Sequence, residues 1–379
     1  MYLLKRCRLK VLVFRVFLIF SGVIALAGCA QDENKLEVVR LSDGPIIGPE
    51  LHDSIGLNIQ GPSLIRVPEW LPNKLGNYYL YFADHKGSYI RLAYADDLLG
   101  PWKIFVPGTL QIEDSYFLVY PPEISDQQVE EMAAQRQSDW TAVSHDWRTE
   151  LTSPHIASPD VHVDDENKQI IMYYHGLDGP GRQLTRVATS NNGVYFTAQP
   201  QNLGRTYMRT FKFGGFVYSM AMPGQFYRSR DGFTNFEEGP KLFNVNMRHA
   251  GLLVKESMLY VFWTQVGDAP ENIKLSMIDL TKDWMSWSET EAIEILRPEK
   301  SWEGASATIE PSVRSTAYGV VNQLRDPAIF SEGHQTYLLY TVGGEAGIAI
   351  AELKFLVSYA FSNFQRLFSR KVPINRALT

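Results

Sequence analysis

The chain has 379 residues, with 36 Lys and Arg against 42 Asp and Glu, a formal charge of −6. With 45% apolar and 21% charged residues it reads as globular rather than disordered, and mild acidity excludes a surface built mainly for nucleic acid, which needs concentrated positive charge. Two cysteines cannot form a disulfide scaffold.

Residues 1–28 read as a signal segment. Lys5, Arg6, Arg8 and Lys10 precede an apolar run from Val11 to Ala27 that is broken only by Arg15, too short for a lasting span and flanked as a leader is. The run ends Leu26-Ala27-Gly28-Cys29, which resembles a bacterial lipobox. The resemblance implies lipidation of Cys29 and a chain anchored to the cell envelope, at the outer membrane because Ala30 and Gln31 follow the cysteine. Residues 29–45 then read as a polar tether.

From residue 46 to 355 five stretches share one grammar of short strand, turn, aromatic strand and further strand. They open near Ser63, Asp160, Tyr207, His249 and Asp326, with second strands at Tyr78 to Ala83, Ile170 to Tyr174, Phe216 to Met222, Leu259 to Thr264 and Tyr337 to Thr341. Repeats of this size with period-2 patterning predict four-stranded blades. The expected fold is all-β, a five-bladed β-propeller with a helical insertion, Asp126 to Trp140, between blades one and two. Residues 356–379 lose the pattern and read as a tail.

In a propeller the start of each first strand and the end of each second strand share one face. Those positions collect Asp160, His162, Arg209, Arg248, His249, Arg325 and Asp326 with Asp84, His85, His175, Asp268 and Glu345. Charged groups avoid burial without partners, so their convergence predicts a binding funnel. An internal salt-bridge ring locking the blades is the alternative reading of the same residues.

Ser158-Pro159-Asp160 leading to an aromatic strand, and Arg325-Asp326-Pro327 followed by Tyr337 to Tyr340, resemble the blade openings of glycoside hydrolase family 43 and its relatives, families 32 and 62. The resemblance implies hydrolysis of a plant or algal poly- or oligosaccharide between two carboxyl groups. Asp160 and Asp326 would be the axial carboxylates, and Glu310 or Glu303 the acid. Asp84, His85, His162, His175, Arg209, Arg248, His249, Arg325, Tyr207 and Trp302 would bind substrate, with Trp70 a further flat face. Propellers of this kind also often carry an axial calcium ion, which His175, His249 or Asp160 would approach; no cofactor is otherwise required. Blade one departs from the pattern, since Gly61-Pro62-Ser63 carries no carboxylate; Asp53 and Asp84 are the nearest replacements. Glu238-Gly239-Pro240 matches the family's acid motif as a string but falls toward a rim.

The arginines suggest an anionic glycan, because guanidinium binds carboxylate or sulfate bidentately. There are two other readings. One is a polysaccharide lyase with His249 or Tyr207 as the base and an arginine on the uronate. The other is a glycan-binding lipoprotein without catalysis.

Overall fold

The computed structural model describes residues 35–137 and 143–356. The leader, Cys29, the end of the predicted helix at Trp140 and the tail from 357 lie outside these residues. The chain divides into a large unit, Val38–Lys354, and a small one, Met1–Glu37 with Phe355–Thr379.

Five antiparallel sheets follow one another along the chain. Blade 1 is Gln60–Arg66, Tyr78–Ala83, Tyr89–Ala95 and Lys103–Ile104; blade 2 is Ile156–Asp164, Gln169–Gly179, Arg182–Ser190 and Thr197–Ala198. Blade 3 is Arg209–Phe213, Phe216–Ala221, Gln225–Ser229 and Glu237–Lys241; blade 4 is Met247–Lys255, Met258–Gln265, Ile273–Asp279 and Ile293–Leu296. Blade 5 is Arg325–Glu332, Gln335–Val342 and Gly347–Leu356, and its outermost strand is Lys35–Arg40.

Each first strand is innermost, and hydrogen bonds join the inner edges into a closed ring. Val161 N donates to Ser63 Oγ (2.8 Å), Thr210 N to Asp160 Oδ2 (2.8 Å), Arg209 Nε to Ala250 O (3.1 Å) and Asp326 N to His249 Nδ1 (3.4 Å). Ile59 N donates to Glu345 O at 2.7 Å and completes the circle between blades 5 and 1. The five-bladed propeller is therefore the fold. The tether reading is corrected in part: Lys35–Arg40 is a strand, in which β-branched Val38 and Val39 suit extended backbone. Arg40 fastens it through Glu303, with Nε 2.7 Å from Oε1.

The blades pack face to face, so a central strand is buried on both sides. All six residues of Tyr78–Ala83 are buried. Tyr79 and Tyr81 join Ile170, Met172 and Tyr174 of blade 2, while Tyr78, Leu80 and Phe82 join Leu339 and Ile350 of blade 5. The period of 2 thus serves two cores at once, and each such apolar side chain contributes roughly 1.5–3 kcal/mol. The insertion between blades 1 and 2 holds helix α1 (Asp126–Gln137), where the sequence predicts one, and a short second helix, α2 (Trp147–Thr152), which it does not. Asp146 caps α2 by accepting from Thr149 N at 3.0 Å.

Candidate active site

Four inner strands carry a bulge at their opening. The pairing shifts between Gln60 and Ser63, Ala157 and Asp160, Arg248 and Ala250, and Arg325 and Ala328. At each shift one residue has positive φ: Gly61 (63°), Ser158 (50°), His249 (22°) and Asp326 (48°). The bulge re-aims these side chains, and in blades 4 and 5 it brings His249 and Asp326 together at the axis.

At this mouth a cavity of about 330 Å³ is lined by His85, Gln183, Thr206, His249, Arg248 and Glu150, among others. A narrow continuation of about 40 Å³ shares His85, Gln183, Thr206 and His249 and adds Gln60, Ser158, His175 and Tyr207. First-strand openings and second-strand ends do converge. Arg136, Arg205, Lys241, Arg248 and Arg314 all line the wider part, against Glu150 as its carboxylate among the described residues. Arg248 is neutralised by Glu271, onto whose two oxygens it forks.

The floor is aromatic and largely neutral. Tyr207 lies between His249 (ring centroids 5.0 Å) and His175 (6.1 Å). Its hydroxyl donates to Asp326 Oδ1 at 2.7 Å and accepts from Arg209 Nη2 at 3.2 Å. Burial pushes the His175 imidazole down to about 3, helped by His85, Lys86 and Arg209. His249 is driven well below its ordinary value by burial and by Arg248 and Arg325. Burial and then the neighbouring Glu345 raise Asp326 to about 6, and burial with Asp326 raises the Tyr207 phenol.

His85 is poised differently. Its Nδ1 lies 3.0 Å from Oε1 of the fully buried Glu345. Glu345 also accepts from Arg325 Nη1 (3.0 Å), Asn58 Nδ2 (2.6 Å) and Ala317 N (3.2 Å). Burial alone would raise that carboxyl, but His85, Arg325 and Asn58 outweigh it and hold Glu345 below the carboxylate range. An ionised carboxylate only accepts, so Nδ1 carries a hydrogen, and in the neutral ring the lone pair lies on Nε2.

Several expected site residues lie elsewhere. Asp160 and His162 line a separate cavity of about 610 Å³ with Trp70, Arg66 and Glu69. Asp160 stands two places beyond Ser158, the positive-φ residue that matches Asp326, and so comes below the bulge. His162 Nε2 is 2.7 Å from its Oδ2, and Thr210 donates to the same oxygen through N and Oγ1. Burial would raise this carboxyl; His162, Arg209 and Thr210 lower it instead. The hydrogen-bonded ring expected as the alternative describes Asp160 and Arg209, and Arg325 too is wholly buried between Gln323, Ser315 O and Glu345.

Glu303 is buried on the flank of blade 5, where it takes Arg40 and the Tyr340 hydroxyl (3.1 Å). It has no access to the funnel, and neighbouring Trp302 is half-buried in the same turn. Glu310 is exposed and lines none of these cavities. Asp84 faces a neighbouring groove, and its Oδ1 accepts from Lys86 N. Asp53 is exposed, Asp268 pairs with Lys274 at 2.6 Å, and Glu238 is exposed on the outer strand of blade 3.

The missing blade-one carboxylate has a steric cause. A Cβ on Gly61 would stand 2.8 Å from Ser158 Cα, so the backbone approach leaves no room for an aspartate there. The sequence reading passed over Glu150, whose signal was the Asp146-to-Glu150 helix start. Its Oε2 has no hydrogen-bond partner and lies 3.5 Å from Lys86 Nζ. Among the described residues no three His, Cys, Asp or Glu side chains converge to hold a metal ion. Of the expected calcium neighbours, Asp160 lies in a different cavity from His175 and His249.

No family model matches the chain. Solved structures with a similar course include a thermostable family-43 glycoside hydrolase, at TM-score 0.48 and 12% identity over 80% of this chain and 91% of that one. An exo-beta-1,3-galactanase of Phanerochaete chrysosporium aligns at 0.48 and 11%, over 86% of this chain and 65% of its own. A beta-xylosidase/alpha-arabinofuranosidase from a compost metagenome, in complex with xylotriose, aligns at 0.48 and 11%, over 86% and 97%. An uncharacterized protein of Acanthamoeba polyphaga mimivirus is 35% identical over 368 residues, covering 89% of this chain and 96% of that protein. The chain belongs to the family of that mimivirus protein.

Proposed function

We propose that the protein is a carbohydrate-active enzyme of the glycoside-hydrolase kind, which takes an anionic saccharide into the funnel and cleaves a glycosidic bond there. The blade openings at Ser158 and Arg325 supply the saccharide part of this reading. The observation that carries it is the His85–Glu345 pair opening onto a cavity whose wall includes Arg136, Arg205, Lys241, Arg248 and Arg314. Arg205 and Lys241 would take the carboxylate or sulfate of the sugar, since a cationic wall concentrates anions.

The chemistry is assigned to groups that line the cavity. His85 Nε2, held in its basic tautomer by Glu345, takes a proton from water. The hydroxide so formed bonds to the anomeric carbon as the glycosidic C–O bond breaks. Glu150 acts in its protonated form, giving its proton to the leaving oxygen as the C–O bond breaks. A His–carboxylate pair thereby stands in for the carboxylate that Gly61 excludes.

One observation favours a second reading. The His175–Tyr207–His249 stack supplies neutral imidazoles beside a phenol, groups suited to removing the C5 proton of a uronate and expelling the leaving group by elimination. One assay separates the readings: the full chain is incubated with uronate-rich and sulfated plant-wall and algal glycans. New reducing ends without ultraviolet absorbance support hydrolysis. Absorbance from an unsaturated product means elimination, and binding without either product means a glycan-binding protein.

A further inference from the structure

Beside the funnel lies a groove of about 650 Å³ lined by Asn58, Asp84, Lys86, His145, Thr316 and Tyr318, among others. We infer that this groove is a second saccharide subsite, adjoining the funnel, in which the Tyr318 ring carries the next sugar unit of an oligomeric substrate. The inference rests on the reading that the funnel binds a saccharide, and it adds the length of that substrate and the residue that measures it.

Three observations carry it. First, Tyr318 is 64% exposed yet fixed: its hydroxyl is 2.6 Å from His145 Nδ1, and the two rings meet edge-on at 5.3 Å. His145 is held in turn by Thr316 Oγ1, 3.0 Å from its Nε2. A ring anchored by its polar tip presents its flat face to solvent without the ordering cost a mobile side chain would incur.

Second, the wall between groove and funnel is thin and polar. Lys86 lines the groove and Glu150 the funnel, and Nζ and Oε2 stand 3.5 Å apart. Both atoms are buried without a hydrogen-bond partner, although the Glu150 side chain is only 6% exposed. Buried polar atoms are almost always satisfied, so an ion pair with no other hydrogen bond at these two atoms, set between two cavities, marks a place where ligand hydroxyls add to the bonding. Third, the chain passes directly from one cavity to the other, from His85 to Lys86 and from Ser315 to Thr316. These consecutive residues place the two cavities side by side.

The test is isothermal titration of the full chain with galacturonic acid and its dimer, trimer and tetramer. Affinity should rise by about tenfold or more from monomer to trimer. Tyr318→Ala should erase that gain and leave monomer affinity unchanged, whereas Tyr318→Phe, which keeps the ring, should retain it. Affinity independent of length, or a gain that survives Tyr318→Ala, overturns the subsite while the funnel reading stands. Absence of binding at every length overturns the funnel reading and the subsite with it.

Discussion

His85 Nδ1 and Glu345 Oε1 lie 3.0 Å apart although the residues are 260 positions apart in the chain. The ring closure between blades 5 and 1 makes this pairing, since Ile59 N bonds Glu345 O at the same junction. Propeller closure and the orientation of the proposed base are therefore one event.

Replacement of that carboxylate tests the base directly. Glu345→Gln keeps the shape but can present an N–H to His85, which favours the other tautomer. Turnover should fall by about 10²-fold or more, with substrate affinity nearly unchanged. Because Glu345 also holds Arg325, folding is checked by circular dichroism and by a second variant, His85→Gln, that leaves Arg325 paired. A folded His85→Gln enzyme with wild-type kcat would remove His85 from the mechanism.

Asp326 gives a pH signature. Its carboxyl is raised from 3.8 to about 6, first by burial and then by Glu345. A folded-state pKa above the unfolded one means the native state binds the proton more tightly. The stabilisation from this group is thus complete below about pH 4 and is lost as pH rises through about 6, on the order of 3 kcal/mol for two units. Urea midpoints of wild type and Asp326→Asn should show a difference that moves against the wild type across this window and is flat above it. A difference independent of pH would exclude the shift.

Asp160 should behave as a structural group. It lies in the cavity with Trp70 and takes Thr210 N, Thr210 Oγ1 and His162. Asp160→Asn should lower stability by about 1–3 kcal/mol through these lost charge-assisted bonds and leave kcat within a few-fold. Denaturation and steady-state kinetics on one preparation decide the matter, and loss of turnover in a variant of undiminished stability would return Asp160 to the reaction.

The difference between Asp160 and Asp326 shows what the sequence discloses. Blade number, strand order and the convergent face follow from period-2 aromatic strands, and His85, His175 and His249 line the funnel where that pattern puts them, while Asp326 is fully buried against Tyr207 and lines no cavity described above. Asp160 does not reach that face, because it follows Pro159 whereas Asp326 precedes Pro327: both blades carry the same bulge, and the residue that turns there is the one before the proline, Ser158 or Asp326. Glu303 looked like a rim acid because it lies in the long insertion before blade five, placed to lean over the mouth. Its actual partner, Arg40, lies in the Lys35–Arg40 strand, which pairs with the third strand of blade 5. Gly61 is legible in retrospect, since its positive φ and the approach of Ser158 both require a residue without Cβ.

Arg40 and Glu303 form the last testable pair. The Glu303 side chain has no exposure and Arg40 only 15%, and Glu299 N and Lys300 N also donate to Glu303 Oε2, at 2.8 and 3.0 Å. Removal of one partner strands a charge, so Glu303→Ala should cost about 3–5 kcal/mol and lower the melting temperature markedly. Arg40→Ala leaves the Glu303 carboxylate with its backbone donors and should cost less. Kinetic constants of both variants below their melting temperatures should match the wild type, because neither group borders the funnel. A change in kcat at unchanged stability would instead assign Glu303 a part in the reaction.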